Sequence, residues 1–229
     1  MRNDYIHLTL VIDKSGSMYS SKEDVIGGIT KLVDEQKANK DGKVTVSMYT
    51  FNEHVKETFV GKDVNDVGTF DYSPNGLTAL NDGVGIGIDN TGKWLADMDE
   101  SERPGKVLFA VFTDGMENAS KEYTSSRIRE MIKHQEEKYN WTFLYLGADI
   151  TTNKGAKDLG IKLRSFTSKI KMGKNYDMIR EATTLYRKSV SNGETLSATS
   201  SALNSYLANT SFLNTHEYEN EISKNIEGD

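Results

Sequence analysis

The 229 residues suffice for one domain with a substantial core, or for one domain and a short appendage. Hydrophobic residues make up 36% and charged residues 27%, with two prolines, a balance that excludes a disordered or collagen-like chain. A net charge of −6 removes any general attraction to nucleic acid or an anionic membrane, and the lack of cysteine excludes disulfides, zinc–thiolate sites and thiol nucleophiles.

Taken in chain order, the apolar run Ile6 to Ile12 reads as a buried strand that ends at Asp13, where a Ser/Gly cluster begins. The run is too short and too soon interrupted for a signal peptide, and no stretch reaches the roughly 18 apolar residues of a membrane helix, so cytoplasm is the expected location. From Lys22 to Asn39 the positions Val25, Ile26, Ile29, Leu32 and Val33 recur at helical spacing, with Ser20 or Ser21 expected to cap the start. Lys43 to Phe51 alternates as a second strand after the Asp41-Gly42 turn, and His54 to Val60 forms a weaker third.

Asp71 to Thr78 carries loop chemistry, and Ala79 to Trp94 reads as a helix in which Gly83, Gly85 and Gly87 imply close packing. Lys106 to Phe112 is almost wholly apolar and ends at Thr113-Asp114-Gly115, repeating the pattern of a buried strand that delivers polar residues at its carboxyl end. A charged amphipathic helix over Tyr123 to Tyr139 and a strand over Trp141 to Leu146 follow. A short helix, Asn153 to Leu159, and a short strand, Lys162 to Thr167, come next. Helices are expected at Asn175 to Val190 and Leu196 to Leu207, and fraying after Asn209.

Alternating helices and buried strands specify an α/β fold, doubly wound, with a mostly parallel sheet covered by helices on both faces. The expected division is a domain over 1–170 and a helical extension with a polar tail over 171–229. Ligands of such folds gather at the carboxyl ends of the strands, where Asp13 and Asp114 both lie.

Asp13-Lys-Ser15-Gly-Ser17 sets a carboxylate and two hydroxyls at alternate positions of a Gly-containing loop, so that all three can turn toward one point. Thr78 and Asp114 are placed to complete the set from neighbouring loops. Oxygen donors of this kind suit a hard cation such as Mg²⁺, which prefers octahedral coordination and keeps several waters. Alone, Asp-x-Ser-Gly-Ser reads equally well as a helix-capping turn.

Asp13-x-Ser15-x-Ser17, Thr78 in Gly-Leu-Thr and Asp114 in Phe-Thr-Asp-Gly together resemble the metal-ion-dependent adhesion site of von Willebrand factor A domains, over roughly residues 5 to 170. The resemblance implies that Ser15, Ser17 and Thr78 ligate the metal through their hydroxyls, that Asp13 and Asp114 bind it directly or through water, and that a partner's carboxylate fills the open position. The implied function is a Mg²⁺- or Mn²⁺-dependent protein-binding module, not an enzyme, whose partner presents an acidic side chain. A Mg²⁺-dependent phosphohydrolase and a structural or assembly subunit are the competing readings. The phosphohydrolase lacks a recognisable nucleophile and base pair.

Other candidates carry less. His7, His54, His134 and His216 are scattered without ligand spacing. Gly83-x-Gly85-x-Gly87 lacks the full phosphate-binding spacing. Glu117 and Asn118 read as solvated loop residues, and the basic stretch Lys162 to Lys174 as a solvated face.

Overall fold

A computed structural model describes residues 1–147, 153–166, 173–194, 201–202 and 205–209. Six strands, β1 (Arg2–Asp13), β2 (Lys43–Phe51), β3 (Val55–Asp63), β4 (Pro104–Thr113), β5 (Thr142–Gly147) and β6 (Leu163–Phe166), form one sheet in the order β3-β2-β1-β4-β5-β6. Every pairing is parallel except the β2–β3 hairpin, where β3 runs antiparallel at the edge. The helices are α1 (Lys22–Ala38), α2 (Leu80–Ala96), α3 (Ser125–Tyr139), α4 (Asn153–Leu159) and α5 (Gly173–Ser191).

Residues of one strand alternate between two cores because successive side chains point to opposite faces. Ile6, Leu8, Leu10 and Ile12 of β1 join Val25, Ile29 and Leu32 of α1 and Ile179, Ala182 and Tyr186 of α5 on one face. Val11 of β1, with Phe109 and Val111 of β4, meets Val84 and Ile88 of α2 and Ile128 and Ile132 of α3 on the other. Both faces are therefore covered, which is why the central strands read as continuous apolar runs.

Helix α5 lies beyond the expected division at residue 170, and its buried residues lie in the same core as α1. Full burial of Met178 and Ile179 contributes roughly 1.5–3 kcal/mol each. The approach is close: a Cβ at Gly28 of α1 would fall 2.3 Å from the Tyr176 ring. The glycines of α2 act alike, with Gly83 against Phe51, Gly85 against Tyr123 and Gly87 against Phe109 and Val11. Close packing is what the sequence pattern implied.

The start of α1 differs from expectation. Neither Ser20 nor Ser21 caps it by a side chain, because a 3-10 turn over Gly16–Ser21 runs straight into the helix and Lys22 N–H donates to Tyr19 O. Backbone groups thus do the work assigned to a serine hydroxyl. The helix expected at Leu196 to Leu207 falls largely outside the described residues. Within it, Leu207 is buried in the α1–α5 core and the Tyr206 hydroxyl donates to Glu181 Oε2 at 2.5 Å. The tail after Asn209, expected to fray, and residues 167–172 of the basic stretch from Lys162 also lie outside them.

Candidate metal site

Strands β1 and β4 are neighbours at the point where the connections part, β1 leading to β2 on one side and β4 to β5 and β6 on the other. Loops leaving two such strands diverge onto opposite faces and open a crevice between them. Asp13 is the last residue of β1, and Asp114 directly follows the last residue of β4, so both carboxylates are delivered to that crevice.

A continuous set of oxygen contacts links them. Asp13 Oδ1 accepts from Ser15 N at 2.7 Å, Ser15 Oγ lies 3.0 Å from Ser17 Oγ, and Ser17 Oγ donates to Asp114 Oδ1 at 2.5 Å. Asp13 Oδ2 accepts from Thr113 Oγ1 at 2.6 Å, and the Tyr72 hydroxyl donates to the Asp13 carbonyl at 2.6 Å. Thr78 borders the same space: a Cβ at Gly115 would stand 3.0 Å from Thr78 Oγ1 and 3.4 Å from Asp13 Oδ2. Gly115 therefore keeps open the gap between these oxygens. All five expected residues, Asp13, Ser15, Ser17, Thr78 and Asp114, converge on one crevice.

Its electrostatics are unfavourable for the protein alone. Burial pushes the Asp13 carboxyl up to about 6; hydrogen bonds from Thr113 and Ser15 oppose that rise, and the negative Asp114 adds to it. The Tyr72 phenol is driven far up, first by burial and then by the same two carboxylates. A cation among these oxygens would reverse the balance by rewarding the charged forms. Among the described residues no three His, Cys, Asp or Glu side chains cluster as a metal-holding group. Two carboxylates and three hydroxyls instead make an all-oxygen donor set, which fits a hard divalent ion.

No protein-family model matches the chain, and no curated protein matches it. Solved structures do. The pilus adhesin SpaC from Lactobacillus rhamnosus GG aligns with a TM-score of 0.59 at 15% identity, over 77% of this chain and 30% of that one. Proximal thread matrix protein 1 from the mussel byssus, with a zinc-occupied MIDAS motif, aligns at 0.51 and 16% identity, over 78% and 46%. Manganese-loaded TRAP protein from Plasmodium vivax aligns at 0.51 and 18% identity, over 75% and 71%. The chain has the von Willebrand factor A fold. At these identities the likeness is one of fold, and the chain spans less than half the length of the byssus and pilus proteins.

In this von Willebrand factor A fold the three loops are held by polar contacts that the sequence pattern did not reveal. Gly16 N donates to Gly76 O at 3.0 Å and Asn75 N to Lys14 O at 2.8 Å, which ties the β1 loop to the loop before α2. Gly76 has φ +77°, and a Cβ there would fall 1.9 Å from Glu53 Oε2, whose carboxylate accepts from Leu77 N at 2.8 Å. Only glycine fits such a position.

Glu117 and Asn118 also depart from the sequence reading, since neither is simply a solvated loop residue. Asn118 Oδ1 accepts from Thr78 N at 2.9 Å while Asn118 N donates to Thr78 O at 3.0 Å, so one residue clasps both backbone groups of Thr78. Glu117 accepts from Asn81 N, Ala119 N and Ser120 N, and Asp82 from Lys121 N, Glu122 N and Tyr123 N. These carboxylates lock the loop after β4 onto the start of α2. Thr113 was identifiable only as the neighbour of Asp114, and nothing local to Glu53 or Asp82 indicates which distant N–H groups they meet.

Proposed function

We propose that the chain is a Mg²⁺- or Mn²⁺-dependent protein-binding module in which Asp13, Ser15, Ser17, Thr78 and Asp114 hold the ion and a partner's acidic side chain completes its coordination. The observation that carries this reading is the convergence of five oxygen-bearing side chains from three loops at the sheet's switch point. The neighbours described with zinc and with manganese support the presence of a divalent ion, and the adhesin among them supports a binding role.

The residues divide the work. Ser15, Ser17 and Thr78 contribute neutral oxygens that leave the ion electrophilic toward an outside anion. Asp13 and Asp114 supply the charge that holds it, with Asp13 oriented by Ser15 N and Thr113 Oγ1. The hydrogen-bonded loops around them fix the hydroxyl positions before any ligand arrives, which lowers the ordering cost of binding. When bound, the metal supplies a positive contact for a carboxylate.

Calorimetry with Mg²⁺ and Mn²⁺ should find one site per chain. Affinity capture from native lysate in Mg²⁺, repeated in EDTA, should return proteins that EDTA releases. Against a partner so identified, Thr78→Ala and Asp114→Ala should each weaken binding at least about tenfold while circular dichroism stays unchanged. Undiminished partner affinity in EDTA would overturn the reading.

A further inference from the structure

Helix α2 contains four glycines, and glycine is unfavourable inside a helix because it loses the most backbone freedom on folding. Close packing accounts for three of them: a Cβ at Gly83, Gly85 or Gly87 would stand 2.8, 2.4 or 3.1 Å from the ring of Phe51, Tyr123 or Phe109. Gly92 has no such neighbour. The nearest atom to a Cβ there is Gln135 Nε2 at 3.9 Å, an ordinary contact distance. What Gly92 borders instead is a cavity of about 340 Å³ between α2 and α3, at the amino ends of β4 and β5. A larger side chain at residue 92 would fill part of it. Asp13 and Asp114 lie at the opposite, carboxyl edge of the sheet, so the cavity is separate from the metal site.

Its walls divide into an apolar part and a charged rim. Ile88 and Leu95 of α2, Val107 of β4 and Trp141 are buried and form the apolar part. The Trp141 ring stacks with Phe109 and Phe143 at centroid distances of 6.3 and 6.0 Å, which fixes it as a flat wall before any ligand arrives. Exposed Tyr139 stands at the mouth beside His134, the two rings 5.6 Å apart. An apolar cavity of roughly 150 Å³ takes up one benzene molecule, so the volume here suits two fused rings.

The rim carries Lys93 and Arg103, and neither is paired with a carboxylate among the described residues. Arg103 Nε and Nη2 donate to the carbonyls of Met98 and Ala96, each at 3.2 Å. Those bonds hold the guanidinium in place and leave Nη1 without an acceptor among the described residues. Asp89 is the one acidic side chain among the described lining residues, and its Oδ2 accepts from the Tyr123 hydroxyl at 2.7 Å. Two full positive charges therefore border the cavity against one engaged carboxylate, in a chain whose net charge is −6. A local positive excess beside an apolar pocket favours an amphipathic anion.

We propose that this cavity binds a small aromatic carboxylate of two-ring size, with its rings against Trp141 and Val107 and its carboxylate between Lys93 and Arg103. Removing the rings from water supplies the attraction, and the two cations fix the orientation. The site requires no metal, and Gly92 keeps it open.

Calorimetric titration of the full chain in EDTA with naphthaleneacetate, its neutral amide and naphthalenemethylamine tests the assignment. The carboxylate should bind at one site at least about tenfold more tightly than the amide, and the amine should bind most weakly. Of the two tryptophans, Trp94 and Trp141, only Trp141 lines the cavity, so its indole N–H signal in nitrogen–proton correlation spectra should shift while that of Trp94 stays in place. Gly92→Leu should weaken carboxylate binding at least about tenfold, while thermal unfolding by circular dichroism occurs no lower than in the parent. Lys93→Glu, at an exposed position, should cut the advantage of the carboxylate over the amide to about threefold or less. Absence of binding by all three compounds, equal affinity for carboxylate and amide, or tightest binding of the amine overturns the proposal. So does a shift at Trp94 alone, undiminished affinity in a folded Gly92→Leu protein, or an unchanged carboxylate preference in Lys93→Glu.

Discussion

At the amino end of β4, Lys106 is 1% exposed and gives its ammonium to the Asn140 carbonyl at 3.0 Å. At the carboxyl end of the same strand, Asp114 joins Asp13 of the neighbouring strand in a crevice where two like charges share desolvated space. Burial penalises the charged form in both places, drawing Lys106 of β4 down to about 8 and pushing Asp13 of β1 up to about 6. The lysine is one cation with a neutral acceptor, a cost the core absorbs. The aspartates form a pair whose charge a bound cation would neutralise. Two neighbouring strands thus carry a buried charge that is a stability liability at the amino end of β4 and a buried charge suited to binding at the carboxyl end of β1.

The largest effect that would break this contrast is at the carboxyl end. Asp13→Ala removes one of two charged donors from a buried site and should weaken Mg²⁺ binding by about a thousandfold, or about 4 kcal/mol. The parent should gain about 2.7 kcal/mol of stability when Mg²⁺ is a hundred times its dissociation constant, and the variant should gain none. Unfolding by urea with Mg²⁺ and with EDTA measures both. Equal metal-induced stabilisation of parent and variant would remove Asp13 from the site.

Next in size is Lys106→Met, which should stabilise the fold at pH 7 by about 2–3 kcal/mol without changing metal affinity. The folded-state value near 8 lies below the ordinary value of 10.5, so the penalty is fully present below pH 8. It fades as pH rises from 8 to 10.5, because there the unfolded chain binds more protons than the native one. The gap between variant and parent in urea unfolding should therefore close across that window. A gap that stays constant to pH 10.5 would show that charge burial is not its cause.

The smallest effect sharpens the binding end. Asn118→Ala removes the side-chain half of the clasp on Thr78 and should weaken metal binding about tenfold, with little change in metal-free stability. Asn118→Asp keeps the acceptor oxygen and should restore most of the affinity in calorimetry. Loss of affinity in both variants alike would assign Asn118 a role other than holding Thr78.

Much of this was legible in the chain. The buried strands were visible as β-rich apolar runs, and the helices as 3.6-residue periodicities, because each pattern reports local geometry. Of the five candidate residues, Asp13, Ser15 and Ser17 were legible because they share one short loop, and Asp114 because it closes an apolar run. Glu53, Asp82, Glu117 and Asn118 were not. A side chain that accepts from backbone N–H groups 24 to 40 residues away leaves no trace of that partner in its own neighbourhood. Ser20 and Ser21 misled in the opposite direction, because a serine before a helix suggests a cap whether or not a 3-10 turn already satisfies the backbone.

The sequence by itself determined the α/β class and the order of elements, since both follow from residue type and short-range spacing, and it named the oxygen-bearing residues of the candidate site. Tertiary structure alone decided the strand order that sets β1 beside β4, the packing of α5 on α1 through Gly28, and the clasp of Asn118 on both backbone groups of Thr78. Those outcomes depend on which distant surfaces exclude water together and which far-apart backbone groups find hydrogen-bond partners. Both are properties of the assembled chain, to which local spacing is blind.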